Sequence, residues 1–189
     1  LFNSYSMAKS LVGVLALVAL SDGTIPSLDT TVGELWPAAE ATAVGPVTMG
    51  ELLDMRSGLA FEKDPGQVGG AGANGKSEQA LNYGPFSDVA RLHVEGLDSV
   101  LGDVQLVEAD RGRYSYQNLN TAILARVLEE VRGQPIDELV YDTLAEPLLK
   151  SGYGESLDDD ELEIFRYHTG RRVYAPPSGG YPVVVVVGG

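Results

Sequence analysis

The longest apolar stretch of this chain is the run 11–20, LVGVLALVAL, entered through Tyr5-Ser6-Met7-Ala8-Lys9-Ser10 and left through Ser21-Asp22-Gly23. A stretch apolar on every side predicts a buried helix, and Gly23 stands where a helix stops. Thr48-Met49-Gly50-Glu51 fits a capping box that opens a second, short helix through Leu52, Leu53 and Met55, closed by Ser57-Gly58. Thr31 to Trp36 predicts a single helical turn ended by Pro37. From Pro85 the chain turns helical again, with Ser87 as N-cap and His93 within the segment. The period returns at 120–131, where Ile123, Leu124, Val127, Leu128 and Val131 share one side and Gly133 marks the stop. Pro135 then suits the first turn of a helix carrying Ile136, Leu139, Val140 and Leu144, and the short connection predicts an antiparallel pair.

The tail changes period. Segments 165–167, 172–175 and 181–187 are β-branched or aromatic and broken by Gly and Pro, which predicts strands, with Pro176-Pro177-Ser178-Gly179-Gly180 turning the last two into a hairpin. The five consecutive valines 183–187 read as a strand buried on both faces. Between the helical and strand-rich parts, the acidic run Glu155, Asp158, Asp159, Asp160, Glu161 and Glu163 is a solvated face, because nothing spaces the carboxylates as a cation loop would.

Composition narrows the class of protein. With 189 residues, 44% hydrophobic and 21% charged, the chain has the makings of one good core. A net charge of −14 opposes nucleic acid and anionic membranes as partners, since both require a basic footprint. The lack of cysteine removes disulfides, thiolate metal sites and cysteine nucleophiles. His93 has no second ligand at metal spacing. The run 11–20 is shorter than the roughly 20 residues a membrane span needs. It lacks the basic flank and cleavage site of a signal peptide. The chain starts at Leu1 without Met, which points to further sequence upstream and leaves targeting open.

Two motifs carry candidate chemistry. Gly70 to Ser77, GAGANGKS, matches the phosphate-binding pattern G-x-x-x-x-G-K-[ST], with Lys76 and Ser77 in the reactive places. That pattern counts only between a buried strand and a helix, and the preceding Glu62-Lys63-Asp64-Pro65-Gly66-Gln67 cannot be a central strand. Nucleotide binding is the distant alternative. Ser6 and Lys9 form the other motif, an S-x-x-K pair at the head of the apolar helix. Residues three apart are neighbours on a helix, so the lysine lies within reach of the hydroxyl, and the helix N-terminus adds partial positive charge. The plainer reading of Ser6 is a helix N-cap.

Five stretches in order extend the second motif: FNSYSMAKSLVG, SDGTIPSLDTTVGELWP, VTMGELLDMRSGLAF, YSYQNLNTAILARVLEEVRGQPIDELVYDTLAEPL and, more loosely, YHTGRRVYAPPSGGYPVVVVV. Together they resemble the serine hydrolases of the β-lactamase and penicillin-binding-protein superfamily, nearest the esterase and 6-aminohexanoate-dimer-hydrolase branch. The resemblance implies a mixed α/β fold in which a helical lobe, residues 21–150, packs on an antiparallel sheet. Residues 1–20 would be the nucleophile helix and 151–189 the strand-rich return to the sheet, all one cooperative unit. It implies that Ser6 is acylated, that Lys9 is its base, and that Tyr116 and Asn118 of Tyr116-Gln117-Asn118 are the Tyr and Asn of a Y-x-N box. A lysine can serve as base where desolvation or charge lowers its pKa, a task for the apolar helix behind Ser6. A tyrosine beside an ammonium can pass a proton to the leaving group, and Asn118 can donate to a substrate carbonyl. Packing of Tyr116 and N-capping by Asn118 are the plainer alternatives.

The third box has two readings. His168-Thr169-Gly170 matches the family's [KH]-[TS]-G, while Gly170 to Tyr174 matches the G-Q-x-aliphatic-Y stretch of the amide-hydrolase branch. Both place the Gly170 backbone beside the nucleophile; the Ser6 backbone N–H, with a second from the last strand, would form the oxyanion hole. The implied substrate is a small ester or amide, with a β-lactam included, and no metal or organic cofactor is needed. The family places strands and a helix before the S-x-x-K box and a longer segment before the third, so the sheet of this chain is expected to lack strands. The competing reading of a different class is a non-catalytic relative serving as a binding or scaffold module.

Overall fold

The computed structural model describes residues 5–61 and 96–147. A 3-10 turn, Tyr5–Met7, runs directly into helix α1, Ala8–Ser21, whose C-cap Asp22 and left-handed Gly23 (φ 81°) end it where the sequence predicts. Residues Ala8, Val12, Leu15, Ala16 and Ala19, at helical spacing, are buried. The opposite stripe is not: Met7, Leu11, Val14 and Leu17 are exposed, Leu17 to 58%. The expectation of a helix buried all round is thus corrected, because the described residues meet it on one side only.

Two short helices follow with identical starts. Helix α2, Val32–Leu35, is opened by Thr31 and Glu34, and α3, Met49–Leu53, by Thr48 and Glu51; in each pair, side chain and backbone amide bond reciprocally. Their N-termini are tied together, Val32 N–H donating to the Val47 carbonyl at 2.8 Å and Met49 N–H to that of Thr30 at 3.0 Å. Glu51 has a second task. Arg111 Nε donates to its Oε1 at 2.6 Å and Nη2 to its Oε2 at 3.0 Å, while Nη2 also reaches the Pro46 carbonyl. Burial pushes the Glu51 carboxyl up, but Arg111 and the Thr48 amide outweigh it and hold the group below its ordinary value.

Strand β1, Leu59–Phe61, pairs antiparallel with β2, Val104–Leu106, in the register Leu59 opposite Leu106 and Phe61 opposite Val104. This two-stranded ribbon within the helical lobe is absent from the sequence reading, which places all strands at 165–187; those residues lie outside the described ones. Helix α4, Leu97–Val100, leads through a 3-10 turn into β2. The helical segment read at 85–94, with His93, also lies outside the described residues.

Helix α5, Asn118–Arg132, is the spine of the core. Leu119, Ile123, Leu124, Val127 and Leu128 are buried, and left-handed Gly133 (φ 65°) terminates it. It packs against α1 and α3, and its Arg126 guanidinium lies 5.0 Å from the centre of the buried Trp36 ring. Helix α6, Ile136–Val140, starts after Pro135 and passes into a π-helical turn, Tyr141–Ala145. Its first amide is capped from α5, since Ile136 N–H donates to Glu129 Oε1 at 2.9 Å.

Helices α1 and α5 run in the same direction. At their C-terminal ends Arg132 Nη2 donates to Asp22 Oδ2 at 2.6 Å, and at their N-terminal ends Lys9 Nζ lies over the Tyr116 ring. Thr24 and Arg132 together hold the Asp22 carboxyl well down, to about 2.

Candidate active site

Ser6 sits in the 3-10 turn and Lys9 in the first turn of α1. Residues i and i+3 eclipse one another in 3-10 geometry, so the turn brings the two side chains together. Lys9 Nζ donates to Ser6 Oγ at 3.1 Å. The N-cap of α1 is Met7, and no side-chain capping bond is made there. Both Ser6 and Lys9 are half-buried.

The second half of the site comes from a segment more than a hundred residues later in the chain. The Tyr116 ring centre lies 5.1 Å from Lys9 Nζ, close enough for a cation–π contact, and Tyr116 is 37% exposed. Asn118 is the first residue of α5 and is buried; the N-cap is Gln117, without a side-chain capping bond, so Asn118 is not a cap. The structure therefore sets Lys9 against both Ser6 and the Tyr116 ring and places Asn118 two residues beyond Tyr116, at the head of the adjoining helix. His168, Thr169 and Gly170 lie outside the described residues, as do Lys76 and Ser77 of the glycine-rich match. Among the described residues no group of three or more His, Cys, Asp and Glu could hold a metal ion, and no helix is long and apolar enough to cross a membrane.

Sequence reasoning missed the polar groups that join the Tyr116 segment to the bend after α3. Ser57 Oγ donates to Asn120 Oδ1 at 2.5 Å and accepts the Leu59 N–H at 3.2 Å. Asn120 Nδ2 reaches Met55 Sδ at 3.4 Å, and Ser115 N–H donates to the Met55 carbonyl at 2.8 Å. The available signal was Asn120 itself, a polar residue in the first turn of an otherwise apolar helical face.

A family model described as Beta-lactamase matches residues 1–182. Among solved structures, the chain is similar to a putative 6-aminohexanoate-dimer hydrolase from Bacillus anthracis, at 19% identity over 74% of this chain and 36% of that one, TM-score 0.56. It is similar also to a D-stereospecific amidohydrolase from Streptomyces sp., at 19% identity over 78% of this chain and 42% of that one, TM-score 0.55. A family VIII carboxylesterase matches at 21% identity over 84% of this chain and 38% of its own, TM-score 0.54. No curated protein matches the sequence. The chain spans 36% to 42% of the length of these three structures, and at these identities the likeness speaks for the fold. With the mixed helix-and-sheet architecture described above and a family match across nearly its whole length, the chain belongs to the beta-lactamase family.

Proposed function

We propose that this chain carries the nucleophile half of a serine hydrolase that cleaves an ester or amide through an acyl-enzyme on Ser6. The observation that carries the reading is the 3.1 Å contact between Lys9 Nζ and Ser6 Oγ, beside the Tyr116 ring. With the amine neutral, the contact reverses and the Ser6 hydroxyl donates to Nζ. The oxygen attacks the substrate carbonyl as Lys9 takes its proton, and the tetrahedral oxyanion collapses to the acyl-serine with loss of the alcohol or amine. Tyr116, against Lys9, passes the proton to the leaving group, and water then releases the acid by the reverse path. The Ser6 backbone N–H supplies one oxyanion donor and an N–H of the last strand the second, with Asn118 holding the substrate carbonyl group. Membership of the beta-lactamase family, with a fold like that of a carboxylesterase and an amidohydrolase, supports the ester-or-amide class.

Fluorophosphonate labelling tests it. The expected outcome is a single adduct on Ser6, abolished in Ser6→Ala, slowed roughly 10²–10⁴-fold in Lys9→Ala, and unaltered in Lys76→Ala; with a diphenyl phosphonate, whose phenoxide leaving group is helped by a proton, Tyr116→Phe should slow labelling as well. Folded protein that takes no label on Ser6 refutes the reading.

A further inference from the structure

Resting on that reading of Ser6 and Tyr116, we propose that Ser57 and Asn120 are positioning residues that hold Tyr116 against Lys9. Tyr116 is 37% exposed, so packing alone does not fix it. Its segment is instead tied at both ends to the bend that follows α3. On one side Ser115 N–H donates to the Met55 carbonyl at 2.8 Å. On the other, Asn120 takes the Ser57 hydroxyl at 2.5 Å and reaches Met55 Sδ at 3.4 Å. Tyr116 and Asn118 lie between these ties.

The bend is itself held in an unusual shape. Met55 has φ 56°, the left-handed region that side chains rarely adopt and that persists where its surroundings impose it. The neighbours do so here: Arg56 N–H donates to the Glu51 carbonyl, and Arg56 and Gly112 exchange bonds at 2.8 Å, one of them from the Arg56 guanidinium. That shape aims the Met55 carbonyl and sulfur at Ser115 and Asn120.

Stability alone does not call for this arrangement. Ser57 and Asn120 are each 1% exposed, and, the Leu59 N–H apart, an apolar pair of matching shape can replace a buried polar one at little cost. A directional bond instead gives registry, and proton transfer at Lys9 and Tyr116 loses about 10²-fold for a 1 Å misplacement.

A double-mutant cycle read by labelling with a diphenyl phosphonate, whose phenoxide leaving group is helped by a proton, tests the proposal, with each rate divided by the folded fraction from thermal melting. Ser57→Ala and Asn120→Ala are each expected to slow labelling of Ser6 about tenfold when Tyr116 is present. In the Tyr116→Phe background neither should slow it further, because the effect passes through that residue. Should a single variant fail to fold, Ser57→Ala with Asn120→Leu restores an apolar pair, and its melting temperature should rise above that of either single variant, short of full recovery because the Leu59 N–H has lost its acceptor, while its labelling rate does not rise. Unchanged rates per folded molecule, equal slowing in both backgrounds, or recovery of rate along with melting temperature would each overturn the positioning role while leaving the Ser6 reading intact. An unsubstituted chain that takes no label on Ser6 overturns both.

Discussion

Gly58→Ala isolates the contact on which the bend after α3 depends. Gly58 has φ 71°, and a Cβ placed there would lie 2.8 Å from Arg111 N, 2.9 Å from Arg111 Cα and 3.0 Å from the Val107 carbonyl oxygen. Each obstacle is backbone, so no side chain can rotate away. Left-handed backbone costs an L-residue roughly 1–2 kcal/mol, and forcing atoms into a packed site adds about 1–3 kcal/mol. Alanine restricts the unfolded chain and returns about 0.4–1 kcal/mol. The net loss is therefore roughly 2–4 kcal/mol, a large part of the ~5–15 kcal/mol that holds a domain together. Urea denaturation should show the midpoint falling by about 1–2 M with the slope unchanged. Gly102→Ala is the control: it lies in the 3-10 turn Leu101–Asp103, and an added Cβ there meets nothing within 4 Å. That variant should be neutral or slightly stabilised. If the two variants fall within about 0.5 kcal/mol of each other, a margin typical of harmless surface changes, the close approach of Gly58 to Arg111 is not a constraint and the reasoning fails.

Two carboxyls give pH dependences of opposite sign. Burial pushes the Glu129 carboxyl up against the pull of Ile136 N–H and Arg126, so the folded state holds its proton more tightly than the unfolded chain. Stability from this group is complete below the ordinary value of 4.5 and is lost as pH rises through the higher folded value. Glu129→Gln keeps an acceptor for Ile136 and should raise the melting temperature more at neutral pH than near pH 4; an equal gain at both would disprove the assignment. Asp22 behaves the other way: its contribution is complete above 3.8 and lost as pH falls through about 2. Arg132→Ala removes one of its partners, so between about pH 5 and pH 2.5 the urea midpoint should fall less than in the unsubstituted chain, and a parallel fall would count against the pair.

The elements that showed in the sequence are those whose signal is local. Helix α1 is legible from contiguous apolar residues with a stop at Gly23, α3 from the Thr48 and Glu51 box, and α5 from its period with Gly133 as terminator. The reciprocal Thr31 and Glu34 box was equally local and was overlooked. The β1–β2 ribbon was not legible, because strands three residues long carry no readable alternation and their pairing joins segments far apart in the chain. The Glu51–Arg111 clamp and the Ser57–Asn120 bond share that long-range character, and Met55 shows nothing in its residue type that foretells a left-handed backbone. At the candidate site the Ser6 and Lys9 pair followed from spacing alone. Tyr116 needed the family resemblance, since nothing nearby in sequence ties it to Lys9.

The parallel course of α1 and α5 makes the pair behave as a ruler with a peg at each end. Lys9 and Asp22 are thirteen residues apart, about 20 Å of helix. One peg is the Lys9 and Tyr116 contact, and the other is the 2.6 Å bond between Asp22 and Arg132. A single peg would let one rod pivot or creep along the other, whereas two fix both phase and offset. Sliding α5 by one helical turn, about 5.4 Å, would break the far bond and carry Tyr116 past Lys9 in the same movement. The placement of Lys9 beside Tyr116 is thus gauged partly by a surface ion pair at the remote end of both helices, which touches neither residue.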